Sequence, residues 1–257
     1  MSYENIYLYC IIEEPSFRSF GSLGISRRGD EVHTLSYKDL SCVISPVPMA
    51  EIRLNRSNML SHQKVIEEVI KNYTALPVRF GTIASSAEEV RNLMMKRYHE
   101  FKNLLRAMDN KVEMGLKAFW LDLNRVFNEI AKADHNLNKL INNLKKKKNI
   151  SLDESISVGE EVKKALDEKR ENEAQKIILP LKSQSVDYVR NDILRDVMIL
   201  NYAFLIDKRQ EPGFDDLVTV LSEKYKNRFK FKYIGPSPPY NFVNIFIKWG
   251  SIKEDRN

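Results

Sequence analysis

Four histidines, His33, His62, His99 and His135, are the first residues to test for chemistry, and their spacing argues against it. No two lie three to five residues apart and no cysteine is near any of them, so a zinc site built from local spacing is absent. Each histidine reads as a surface or helix-flank residue. Gly21-Ser-Leu-Gly24 lacks the Lys-Ser/Thr that would grip a nucleotide phosphate. No Gly-x-Ser-x-Gly elbow and no loop of spaced aspartates is present. The acidic pairs Glu13-Glu14, Glu67-Glu68 and Glu160-Glu161 sit among other charges, as a solvated face does. We expect no catalytic residue, no bound cofactor and no metal.

Three segments could bind instead of react. Lys145 to Lys148 is a basic run that can neutralise phosphates, with affinity falling steeply in salt. It has no interleaved aromatic or arginine to stack on bases, and a solubilising turn is the plainer reading. In Leu76-Pro77-Val-Arg79-Phe80-Gly81, an arginine is embedded in apolar sequence. A buried guanidinium needs a carboxylate or carbonyl partner, so Arg79 is expected to be an internal strut, with an interface role as the alternative. In Gly235-Pro236-Ser-Pro238-Pro239-Tyr240, three prolines make a stiff turn that cannot lie in a central strand. This turn either offers low-entropy apolar surface to a partner or packs the last strand onto its sheet.

The elements that must position these segments follow from periodicity. Ile6 to Ile12 is apolar without alternation, the mark of a central strand covered on both faces. Strands are expected near Val32 to Leu35 and Cys42 to Ser45, and a helix over Asn58 to Tyr73. Ser85 and Ser86, each three residues ahead of a glutamate, start one helix with apolar positions Val90 through Met108. A strand over Val112 to Leu121 completes the first half. From Asn124, Ile130, Ala133, Leu137, Leu140 and Leu144 step by three and four, the seam of a helix against a helix. A second long helix is expected from Ser157 past Ile178, kinked or ended by Pro180. Then come a strand at Val197 to Ile206, a helix from Pro212 to Tyr225, and strands at Phe229 to Tyr233 and Phe242 to Ile247. With strand 112–121 borrowed, the second half reads β-α-β-β-α-β, the ferredoxin-like order.

The expected fold is therefore α+β, with two domains of ferredoxin-like character and a long helical connection. Residues 1–121 form an N-terminal domain, 122–156 a helical connection with an Asn/Lys-rich turn, and 157–257 a C-terminal domain. At 257 residues, 43% of them hydrophobic, either domain can bury a core. With 41 basic and 35 acidic residues the charge of +6 permits an acidic partner without requiring one. Cys10 and Cys42 fit either one disulfide or two buried free thiols, the latter preferred for a reducing cytosol. The longest apolar run, Ile6 to Ile12, falls far short of the roughly 20 residues of a membrane span. Met1-Ser-Tyr-Glu-Asn5 is unlike an export signal, so a cytoplasmic protein with no membrane contact is expected.

These segments, in this order, resemble the gas vesicle protein F/L family. The resemblance rests on Tyr7-Leu-Tyr9, Val43-Ile-Ser-Pro46, His62-Gln63, Val65-Ile-Glu67 and Leu76-Pro-Val-Arg-Phe-Gly-Thr82. It continues through Lys111-Val-Glu113, Gly115-Leu-Lys117, Gly235-Pro-Ser-Pro-Pro-Tyr240 and Phe242-Val243, so it covers almost the whole chain. It implies a non-enzymatic assembly protein or minor component of gas vesicles. Such a protein is expected to bind the small hydrophobic major shell protein and prevent its aggregation during nucleation, with other vesicle accessory proteins as further partners. It also implies a two-domain α+β fold. The alternative reading, a nucleic-acid-binding protein using the lysine turn and a ferredoxin-like sheet, makes salt-sensitive DNA or RNA affinity its test.

Overall fold

Strand β1, Asn5–Glu13, is buried from Tyr7 to Ile12 because it has sheet neighbours on both edges and packing on both faces. A computed structural model describes residues 5–25, 28–48, 50–147, 151–247 and 249 of the chain. On one edge of β1 lies β4, after β2 (Ser19–Gly21) and β3 (Val32–Tyr37); β4 spans Leu40–Val47. On the other edge are β5, Ala75–Pro77, and β6, Ile83–Ala84. The sheet order is β2-β3-β4-β1-β5 with β6 also on β1, and every pairing is antiparallel. Ile11 stands opposite Cys42 and Leu76, and a register shift between Leu8 and Cys10 accommodates an irregularity in the ladder. Cys10 and Cys42 are buried free thiols, and burial pushes both well above the usual thiol range.

Three helices cover this sheet. Helix α1, Arg56–Val69, starts where the Asn55 side chain accepts the Asn58 amide, and buries His62, Val65, Ile66 and Val69 on one stripe. It stops short of the expected Tyr73, and turns bonded to Val69 carry the chain from there. Ser86 caps α2, Ala87–Lys96, while Glu89 accepts bonds from the Ser85 amide and hydroxyl. The single helix expected as far as Met108 is two helices, broken at Arg97 (φ −108°, ψ 19°) before α3, Tyr98–Met108. Val90, Met94, Phe101, Leu105 and Met108 stay buried across the break, so the apolar rhythm does not register it.

The chain divides into two compact units, residues 1–113 with 236–257 and residues 114–235. Strand β7, Lys111–Trp120, leads into the second unit. Asp122 caps α4, Leu123–Ala133, and Asp134 then ends it by accepting the Asn136 and Leu137 amides at the start of α5, His135–Lys146. The continuous helix expected from Asn124 is broken there because an Asp side chain competes for backbone donors. Helix α6, Leu152–Lys182, begins earlier than the expected Ser157, at a capping box between Ser151 and Glu154. Pro180 lies in its final turn, so the i→i−4 bond it removes is close to the helix end and the helix stops two residues later.

Strand β8, Asp187–Arg190, short and half-polar, carries no apolar alternation in the sequence. It pairs antiparallel with β9, Met198–Asp207; α7, Glu211–Tyr225, and β10, Phe229–Ser237, follow. The sheet order β10-β7-β9-β8 and the β-α-β-β-α-β succession give the ferredoxin-like arrangement, with three helices in the first crossover in place of one.

Inside this second unit lies a charged knot. Glu173 accepts the Trp120 indole N–H at 2.5 Å and the Arg228 guanidinium at 2.7 Å. Arg228 also makes a two-pronged pair with Glu129 at 2.8 and 2.7 Å, and Lys169 bridges Glu129 (3.2 Å) and Glu173 (3.6 Å). Burial alone would raise the Glu129 carboxyl, but Arg228 and Lys169 hold it at about 2.

Candidate protein-binding cleft

Two buried tyrosines of β1 lie behind a cleft of the first unit and hold His62, which lines it. Tyr9 Oη lies 2.9 Å from Ser45 Oγ and accepts the Ile25 amide at 2.9 Å. Tyr7 Oη accepts the Gly81 amide at 3.0 Å and lies 3.0 Å from His62 Nδ1. With Gly81 donating to it, the Tyr7 hydroxyl is placed to donate to Nδ1, which leaves the proton on Nε2 of a neutral imidazole. The His62 ring stacks on Tyr9 and meets Tyr7 and Phe80 edge-on, with centroids 5.7 Å away in each case. Burial drives His62 down to about 4, although a hydrogen bond to the Val78 backbone pulls the other way. Burial likewise pushes Tyr9 up to about 12 and Tyr7 above that. All three rings are therefore uncharged near neutrality. His62 corrects the expectation of a surface or flank histidine: its turn of α1 faces the sheet.

The Leu76 to Gly81 segment forms the wall. Leu76 and Pro77 are buried in β5. The Val78 amide bonds to the Tyr9 carbonyl at 2.9 Å, and the chain then turns at Gly81 with φ +84°. Arg79 is exposed, so it is not the internal strut expected; the turn directs it outward, and its guanidinium lies 5.6 Å from the centre of the Phe246 ring. Phe80 is half-buried against the core.

The opposite wall comes from the end of the chain. Gly235 and Pro236 are exposed at the end of β10, an edge strand, which proline tolerates. Pro238 and Pro239 are buried, and their carbonyls accept the Tyr240, Phe242 and Val243 amides in a tight turn. Asn241 is fastened by its amide (2.7 Å) and side chain (2.5 Å) to the buried Glu113 carboxylate. Burial raises that carboxyl, partly offset by the Asn241 bonds. These turns replace the strand expected over Phe242 to Ile247. Within it, Ile245 makes an isolated parallel bridge to Val78, which joins the two walls.

The result is an open cleft of about 540 Å³, bounded by Met59, His62, Pro77 to Phe80, Tyr240 and Val243 to Phe246. Of the residues singled out in the sequence, Pro77, Arg79, Phe80 and Tyr240 line it. Leu76, Gly81, Pro238 and Pro239 shape the walls, whereas Gly235 and Pro236 do not line it. Met59 (51% exposed) and Phe246 (56% exposed) were missed, because an apolar residue at an element's edge has no sequence signature. Among the described residues no cluster of His, Cys, Asp or Glu could hold a metal ion, and no helix is long and apolar enough to cross a membrane. Lys147 pairs with Glu154; Lys148 and the Lys145 side chain lie outside the described residues.

Fold and cleft together describe an α+β protein of two compact units, the first carrying a concave, largely apolar cleft. The family model of gas vesicle synthesis protein GvpL/GvpF matches residues 5–244. The chain belongs to that family, whose description places it in gas vesicle synthesis. It is 24% identical over 246 residues to gas vesicle protein F of Microcystis aeruginosa, covering 93% of this chain and 98% of that one. Gas vesicle protein F1 of Halobacterium salinarum is also 24% identical, over 95% of each chain. The crystal structure of GvpF from Anabaena sp. superposes with a TM-score of 0.81 at 23% identity, over 95% of this chain and all of that one. That of GvpF from Microcystis aeruginosa gives 0.81 at 24%.

Proposed function

We propose that this chain works in gas vesicle assembly without catalysing a reaction, by binding the hydrophobic major shell subunit and keeping it from aggregating until it is incorporated. A subunit destined for an apolar-faced shell exposes a large patch before assembly, and such patches self-associate unless covered. The observation that carries the reading is the cleft itself. Two segments far apart in sequence, around Pro77 to Phe80 and Tyr240 to Phe246, converge on it, and it leaves Met59, Tyr240 and Phe246 open to solvent. His62 in its lining and Tyr7 and Tyr9 behind it hold one protonation state near neutral pH, as suits a scaffold better than a proton-transfer site. In this reading the protein works in the cytoplasm and on the vesicle, where other accessory proteins are further partners.

Co-expression tests it. The shell subunit produced with the full chain should stay in the high-speed supernatant and co-purify with it, and should pellet when produced alone. Equal pelleting with and without the chain would refute the proposal. The full chain is required, because residues 236–247 complete the first unit.

A further inference from the structure

The geometry points to a more specific occupant: an amphipathic helix that lays its apolar face into the cleft and sets a carboxylate against Arg79. This inference rests on the assembly reading above. Arg79 is the one formally charged side chain among the described residues lining the cleft, since His62 is neutral. It is exposed, and among the described residues no carboxylate pairs with it; its recorded neighbour is the Phe246 ring. A lone cation on the rim of an apolar groove favours a ligand that is apolar at its centre and acidic at one edge. An arginine already held against a ring also loses less freedom on pairing.

The backbone decides between a helical and an extended ligand. Strand addition needs an edge with free N–H and C=O groups. Here the Val78 amide is used by Tyr9 and Val78 bridges to Ile245, while the Phe246 carbonyl accepts Arg97 at 2.9 Å. Recognition is left to the side chains of Met59, Phe80, Tyr240 and Phe246 around Arg79, which suits anchors projecting from one face of a helix.

The test uses the full chain and the co-expressed shell subunit as probe, reading the amount of subunit co-purified. Arg79→Glu should lower retention roughly tenfold and Arg79→Gln several-fold, as for loss of one rim-to-pocket charge pair. Changing one particular Asp or Glu of the subunit to Lys should restore retention by the Arg79→Glu protein. Alanine scanning of the subunit around that residue should show losses spaced by three and four. Arg79 variants with unchanged melting curves that retain the subunit as wild type does would overturn the inference and leave the assembly reading intact. Losses at alternate residues would overturn the helical ligand, and the absence of any restoring charge swap would overturn the carboxylate. If the wild-type chain retains no subunit, the assembly reading falls and takes this inference with it.

Discussion

The cluster behind the cleft and the knot in the second unit satisfy their buried polar groups in opposite ways. Tyr7, Tyr9 and His62 do it with neutral hydrogen bonds to Ser45, Ile25, Gly81 and Val78, whereas Trp120, Glu129, Lys169, Glu173 and Arg228 do it with charge. A neutral network can sit beside an apolar surface without drawing water and counter-ions to it, as the proposed binding role of the cleft requires. A charged knot ties β7, α4, α6 and the residue before β10 together in one geometry, but removing a member leaves its partners only partly compensated.

The contrast breaks first at the knot. Arg228→Ala should destabilise the second unit by about 2 kcal/mol, because Glu129 and Glu173 lose one of the two cations they share and keep only Lys169. Urea unfolding followed by tryptophan fluorescence, with Trp249 changed to Phe so that only Trp120 reports, checks this. A loss below 1 kcal/mol would mean the knot is solvated like a surface pair.

Acid separates the two regions next. His62 ordinarily titrates at 6.5 but in the fold only at about 4, so the folded state takes up its proton less readily than the unfolded chain. The stability it supports is complete above pH 6.5 and declines as pH falls towards 4, by about 3 kcal/mol in all. Glu129, moved from 4.5 to about 2, supports stability that is complete above pH 4.5 and lost as pH falls to 2. Denaturant midpoints measured from pH 7 to 2 should thus fall in two windows. His62→Gln should flatten the upper window and Glu129→Gln the lower, where solvent screening keeps the amplitude smaller.

Smaller effects sharpen the picture of the cleft. Gly81→Ala should cost about 1 kcal/mol through its positive φ alone, because an added Cβ would meet no atom within 4 Å. Phe246→Ala should change the melting temperature by no more than a surface substitution does, within about 0.5 kcal/mol, while weakening shell-subunit retention. A large stability loss on Phe246→Ala would recast that ring as part of the core.

Much of the architecture is legible in the residues themselves. The unbroken apolar run of β1, the serine-glutamate start of α2, and the succession of β9, α7 and β10 follow from local rules of burial, capping and period. The helix breaks at Arg97 and Asp134 escape those rules, since the apolar stripe keeps its phase across the first and a side-chain cap interrupts the second. Strand β8 escapes because it is an edge with little apolar content.

By itself the sequence determined which two segments are unusual, and that each combines stiff proline with apolar and aromatic side chains. Tertiary structure alone decided that they face each other, that His62 lies buried between two tyrosines, and that Arg79 points outward. The reason is physical. Period and propensity describe one stretch of chain at a time, whereas the exposure of an arginine or the protonation of a histidine depends on which distant stretch packs against it.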